Sequence, residues 1–425
     1  MKTKYKLKCL GCNKIIDDNL QLLYDSCEKN AFLRTIYDKK ELKLKDESYG
    51  LYRFADWLPI GHTLDGSGAP ITYKSKKLCD ELGLKNLFIT FSGYWPKNGA
   101  EMSTGTFKEC EAYSVCGRLP KKYEKTLVVA SAGNTARAFA KVCSENDISL
   151  IVVIPETSLN AMYFSKMINP NVKLILAEGN SDYYDAIKLA GMICNMDEYF
   201  PEGGAKNVAR RDGMGTTVLS AATTIDKIPD YYFQAVGSGT GAIAAWEANL
   251  RLIEDGNYGN NKMKLMISQN FPFLLLNESW KRKSRELYSY KDEDARARIE
   301  EINAKVLSNR KPPYSVIGGL YDALVDTDGE TLSATNEDAK KAAELFYKIE
   351  GIDISPAASV AFASLVKAKS EKKIEKNATI MLNITGGGEK LFQKENKIKY
   401  LKPTMIFRKN EINQNDVNKK IKNLK

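Results

Sequence analysis

Short apolar runs alternate with amphipathic stretches of helical length through the middle of the chain. Six runs read as strands, at 126–131, 149–155, 173–179, 232–237, 264–270 and 379–385. Between them, apolar positions recurring at three- and four-residue intervals predict helices over 135–144, 182–195, 240–254, 337–349 and 356–369. Several strand runs are apolar at nearly every position, as happens when helices cover both faces of a sheet. Alternation of this kind predicts parallel sheets in an α/β fold. Helix starts carry signals of their own: Asn336 stands as an N-cap before Glu337 and Asp338, and Pro356 suits a first turn. The charged stretch 281–300 reads as a solvated helical region with no chemistry.

A chain of 425 residues is long enough for two domains with small terminal additions. No run approaches the roughly 20 apolar residues that span a bilayer, so no membrane segment is expected. The N-terminus, MKTKYKLKCLGC, lacks an apolar leader core, which points to the cytoplasm. The net charge of +10 invites a nucleic-acid reading. The basic residues, however, are spread along the chain and mixed with acids, apart from a Lys-rich tail after Lys397, whereas nucleic-acid binders gather charge on one face. The expectation is a solvated surface that attracts small anions, and a disordered tail.

Eight cysteines occur, at Cys9, Cys12, Cys27, Cys79, Cys110, Cys116, Cys143 and Cys194, and disulfides are not expected in a long cytoplasmic chain. Cys9-x-x-Cys12 followed by Cys27 looks like part of a zinc knuckle. Structural zinc takes four ligands, no fourth follows nearby, and His62 is the only histidine. A degenerate knuckle without metal is the expectation.

Four segments could carry chemistry. Gly237-Ser238-Gly239-Thr240-Gly241 follows an apolar strand and opens a helix, where backbone amides and the helix N-terminus favour a phosphate. A dinucleotide site would add an acid at the end of the next strand, but Gln269-Asn270 stand there, so a single phosphate fits better. Ala130-Ser131-Ala132-Gly133-Asn134-Thr135 again joins a strand to a helix and can receive a carboxylate, with Asn134 free to donate to a phenolate-like oxygen. The third is Ser103-Thr104-Gly105-Thr106-Phe107-Lys108-Glu109, and the fourth is Thr385-Gly386-Gly387-Gly388, which offers a hydroxyl and room beside a flat ligand. Singly, each also reads as a packing turn, a helix cap or a surface lysine.

In this order the four segments resemble those of the tryptophan-synthase-β-like, fold-type-II pyridoxal-phosphate enzymes. The resemblance implies pyridoxal 5'-phosphate as cofactor, with Lys108 as its Schiff-base lysine and Asn134 at the 3′ oxygen. It also implies Gly237, Ser238, Gly239, Thr240 and Gly241 as the phosphate loop, and Thr385 at the pyridine nitrogen. A neutral hydroxyl at that nitrogen limits the electron sink and suits β-elimination and replacement. The knuckle, Thr106-Phe107-Lys108 and Asn207-Val208-Ala209-Arg210-Arg211-Asp212-Gly213 are similar to the threonine synthase branch, although Glu109 and Cys110 replace the Asp and Arg usual after the lysine. Longer runs resemble the cysteate synthase family, among them 68–75, 91–96, 202–216, 230–241 and 312–329.

The resemblance implies a two-domain α/β fold with parallel-rich sheets plus the knuckle-like segment at 1–50. The large cofactor-binding domain would take 51–108 and 205–395, a smaller substrate-closing domain 109–204, and the Lys-rich tail 396–425. The reaction implied is O-phospho-L-serine plus sulfite giving L-cysteate and phosphate, on a route to coenzyme M. Lys108 would remove the Cα proton, Ser131 and Thr135 would hold the carboxylate, and Asn207 and Arg210 would meet oxyanions. Arg137, Arg211 and Lys74 are further cations to consider, and the Trp95 loop is either a cover for the site or plain core. Partners would be small molecules and a second copy of the chain, with no nucleic acid or membrane. Other readings are a threonine synthase acting on O-phosphohomoserine, a cysteine synthase using sulfide, and a catalytically silent anion-binding homologue.

Overall fold

The computed structural model describes residues 4–179 and 181–424. Two sheets organise them. The larger runs Glu330–Ala334, Lys264–Asn270, Tyr231–Ala235, Thr379–Ile384, Asn86–Phe91, Ile71–Lys74, parallel throughout except for the last, antiparallel pair. The smaller runs Tyr199–Pro201, Thr126–Ala130, Leu150–Pro155, Val172–Ala177, Met405–Phe407 and is wholly parallel.

The apolar strand runs behave as side-chain alternation requires. In Leu150–Pro155, Leu150, Val152 and Ile154 join Phe139 and Val142 on one face, while Ile151 and Val153 join Ala186, Leu189 and Ile193 on the other. Each large apolar side chain removed from water in this way contributes about 1.5–3 kcal/mol. The larger sheet divides similarly: Tyr232, Leu265 and Ile267 meet Val218 and Leu219, and Phe233, Met266 and Leu382 meet Val360 and Phe362.

The N-terminal strands Tyr5–Cys9, Ile15–Ile16 and Leu33–Tyr37 form a small antiparallel sheet packed into the same core as Val218, Leu219 and Tyr232. It is tied there by polar groups: Thr35 and Tyr37 donate to Asp212, which also accepts from Arg251. Among the described residues no helix is long and apolar enough to cross a membrane.

Three expectations need correction. The N-cap near 336 is Thr335, whose side chain accepts from the Asp338 amide while the Asp338 carboxylate accepts from the Thr335 amide. A reciprocal box of this kind wants its acid three positions on, which moves the cap one residue upstream. The charged stretch 281–300 is not simply solvated: Asp292–Glu301 is a helix whose Arg296 pairs with Asp182, the cap of the Tyr183–Ile193 helix, at 3.2 Å.

The Lys-rich tail is folded. Lys399–Tyr400 pairs with Tyr163–Phe164, Met405–Phe407 adds the edge strand of the smaller sheet, and the Gln414–Ile421 helix follows. Phe407, Val417 and Ile421 are fully buried. The lysines between them face outward, so the composition looks disordered while the apolar spacing is that of a packed strand and helix.

Candidate active site

Lys108 and Thr385 stand 277 positions apart in sequence, and a short backbone match brings them together. The Phe107 amide donates to Thr385 O at 3.0 Å, the Gly387 amide donates to Gly105 O at 3.0 Å, and Thr106 bridges Gly386. Lys108 then opens the Lys108–Arg118 helix. A cavity of about 80 Å³ lies there, walled by Lys108, Asn134, Gly237 to Gly241, Ser355 and Thr385. A second cavity of about 580 Å³, also bordered by Asn134 and Ser355, adds Arg137, Gly105 and Gly387.

The glycine segment is a cradle that side chains would fill. A Cβ on Gly237 would stand 2.9 Å from Val306 O and 3.0 Å from Leu307 Cα. Gly239 has φ +76°, a left-handed conformation that L side chains avoid, and caps the Thr240–Asp255 helix. Gly239 has no side chain to cap that N-terminus, the Thr240 amide donates to Ser238 Oγ at 3.2 Å, and the segment walls the cavity, an arrangement suited to phosphate. Ser238 Oγ and Thr240 Oγ1, 2.7 Å apart, add two hydroxyls.

Electrostatics centre on a buried cluster behind the lysine. Lys108 Nζ donates to Glu111 Oε2 at 3.2 Å, Arg210 Nε lies 3.2 Å from the same oxygen, and Arg210 Nη1 donates to Glu202 Oε2 at 2.7 Å. Burial holds the Lys108 ammonium below the usual lysine range, Glu111 opposing and Arg210 reinforcing. Burial likewise raises Glu202; Arg210 works against that shift and the nearby Glu111 carboxylate adds to it. Arg210 loses to burial but gains more from Glu111 and Glu202, and stays charged. Two cations thus face two carboxylates, and each carboxylate keeps one buried oxygen, Glu111 Oε1 or Glu202 Oε1, without a partner.

The remaining candidates fall in different places. Ser131 Oγ accepts from the Gly133 amide at 3.0 Å, which pre-shapes the turn, and Thr135 is buried in the first turn behind it; neither walls the two cavities, which the turn meets at Asn134. Asn207 is used up structurally: it caps the Val208–Ile225 helix, accepts from Arg118 at 2.8 Å and donates to Glu202 O. Arg211 pairs with Glu247 at 2.9 Å, and Lys74 donates to Asn86 at the surface. Asn207, Arg210, Arg211 and Lys74 wall neither cavity.

Arg137 does. Its Nη2 donates to Thr104 O, its guanidinium lies 4.2 Å over Tyr163, and its buried Nε has no partner. Trp95 is half-buried and packs edge-on against Phe91 and Tyr73 beside the core, outside the walls of both cavities. Sequence reasoning missed Glu111, Glu202 and Ser355. Glu111 had a signal, since a carboxylate three places after a helix-opening lysine shares its face. The other two had none.

Residues 83–386 match the family of pyridoxal-phosphate dependent enzymes, and a half-buried lysine, a glycine cradle and a hydroxyl at a strand end meet at one cavity within or beside that span. The fold agrees: a fungal L-serine ammonia-lyase from Rhizomucor miehei superposes with TM-score 0.58 at 16% identity, covering 77% of this chain and 98% of that one. Maize serine racemase gives 0.57 at 13%, covering 77% and 91%. Cysteate synthase of Methanosarcina barkeri is 45% identical over 97% of this chain and 99% of its own length. The corresponding enzymes of Methanocella paludicola and Methanocorpusculum labreanum are 44% identical over 98% and 97%, and 45% identical over 92% and 94%, of this chain and their own. The chain belongs to the cysteate synthase family of pyridoxal-phosphate-dependent enzymes.

Proposed function

We propose that the chain replaces the phosphate of O-phospho-L-serine with sulfite, giving L-cysteate and phosphate, in the cytoplasm. The observation that carries this reading is the near-full-length likeness to cysteate synthases, supported by a half-buried lysine that shares one cavity wall with the glycine segment.

Lys108, Asn134, Thr385 and the segment Gly237 to Gly241 would hold pyridoxal phosphate, which when bound supplies an electron sink for the substrate's Cα. Lys108 Nζ acts as the base at Cα; burial favours its uncharged form, and Glu111 fixes its direction. The amides of the Ser131–Thr135 turn receive the substrate carboxylate at the start of the Asn134–Glu145 helix. Arg137 is the buried cation on the wall of the larger cavity and meets the incoming or departing oxyanion there. Arg210, already shared by Glu111 and Glu202, acts on Lys108 through those carboxylates and does not face the substrate.

The test is incubation of the holoenzyme with phosphoserine and sulfite, following phosphate and cysteate together. Equal amounts of both are expected. Phosphate without cysteate would mean a lyase or another acceptor, and threonine formed from O-phosphohomoserine would replace the reading outright.

A further inference from the structure

The N-terminal sheet carries a feature that the cofactor site does not use. Strand Tyr5–Cys9 ends in a tight turn: the Asn13 amide donates to Cys9 O and the Cys9 amide donates to Lys14 O, both at 2.9 Å, with Asn13 at φ +62°. This turn folds Cys12 back beside Cys9. Cys27 arrives from the far end of the next loop and sits so close that a Cβ on Gly11 would stand 2.9 Å from its Sγ and 2.8 Å from Ala31 Cβ. The three Sγ atoms all lie within 4.8 Å of one another, with Cys9 buried, Cys27 half-buried and Cys12 exposed. Counting ligands along the sequence predicts no metal here; the spatial convergence of all three thiols argues the other way.

We propose that Cys9, Cys12 and Cys27 bind a single thiophilic divalent cation of the zinc class. Sulfurs on a tetrahedral ion with bonds of about 2.3 Å stand roughly 3.8 Å apart, so small side-chain rotations close the site. Among the described residues no fourth Cys, His, Asp or Glu joins the group. The fourth position therefore opens to solvent beside Cys12, as at zinc sites with three protein ligands and a water.

The ion links the two ends of the loop between Cys12 and Cys27. The middle of that loop reaches the cofactor domain: Asp18 accepts from Arg118 Nε at 2.8 Å, Arg118 Nη1 donates to Asn207, and Leu22 packs on Gly203. A bound ion thereby steadies the segment from Glu202 to Asn207, which carries the buried partner of Arg210.

The experiment uses the reduced, full-length holoenzyme, stripped by chelator and titrated anaerobically with Co²⁺. A thiolate-to-cobalt charge-transfer band saturating at one ion per chain is expected, with zinc displacing the cobalt. Cys12→Ser, at an exposed position, keeps the fold and weakens Co²⁺ binding by roughly tenfold or more. Cys194→Ser, at a half-buried cysteine outside the cluster, leaves it unchanged. Absence of the band, equal affinity in Cys12→Ser, or two of the three thiols found oxidised to a disulfide in anaerobically prepared protein would each overturn the proposal.

Discussion

Gly239 is where backbone geometry and cofactor binding meet, so Gly239→Ala is an informative perturbation. At φ +76° an L side chain costs about 1–2 kcal/mol, and the new Cβ would stand 2.7 Å from Cδ2 of buried Leu320. The loop escapes by moving its amides off the geometry that receives a phosphate, and binding must then restore that geometry. A penalty of that size weakens cofactor affinity about five- to thirty-fold.

Gly256 is the natural control. It closes the same helix at φ +81°, with nothing within 4 Å of an added Cβ. Gly256→Ala carries the same backbone cost and lowers unfolding stability by about 1–2 kcal/mol, yet leaves cofactor affinity unchanged. The assay is absorbance titration of the apoenzyme with pyridoxal phosphate, beside denaturant unfolding of both variants. If the two alanines weaken cofactor binding equally, or Gly239→Ala leaves it within twofold of the parent, the cradle argument fails.

Three other outcomes are expected. Lys108→Ala abolishes borohydride fixation of the cofactor, read by peptide mass, and removes turnover; a labelled peptide elsewhere would relocate the site. Glu111→Gln removes the carboxylate that favours the charged form of Lys108, so the acid limb of the kcat profile, which reports the amine freed once substrate is bound, moves to lower pH; a limb that stays put or moves up would contradict the pairing. Phe407→Ala, in the edge strand from the tail, costs about 3–5 kcal/mol in denaturant unfolding because the ring is fully buried, and a loss below about 1 kcal/mol would mean the tail is not packed.

Much of the fold was legible because its strands are buried on both faces, which writes continuous apolar runs such as Leu150–Pro155 into the sequence. The glycine junction at Gly237 to Gly241 was legible for a related reason: a strand, a run of small residues and a helix start lie contiguously in the sequence. What stayed hidden depends on distant partners. Ile71–Lys74 is a half-buried edge strand with no clear alternation, and Met405–Phe407 is three residues inside a lysine-rich stretch. Glu202 matters only because Val208–Ile225 turns Arg210 toward it. Asn207 and Arg211 belong to a family-like motif, yet one caps a helix and the other anchors the N-terminal sheet, roles a motif alone does not distinguish.

The edge strand contributed by the tail has a consequence for synthesis. Met405–Phe407 follows every strand of the larger sheet in sequence, so the smaller sheet cannot complete its edge until the strands of the larger sheet have been synthesised. Until then Val172–Ala177 presents a flank of unpaired amides and carbonyls, which invites foreign strands. While that edge stays open the smaller sheet is the part of the nascent chain most open to foreign strands, and stalled chains ending before residue 399 are expected to aggregate more readily than the full-length chain.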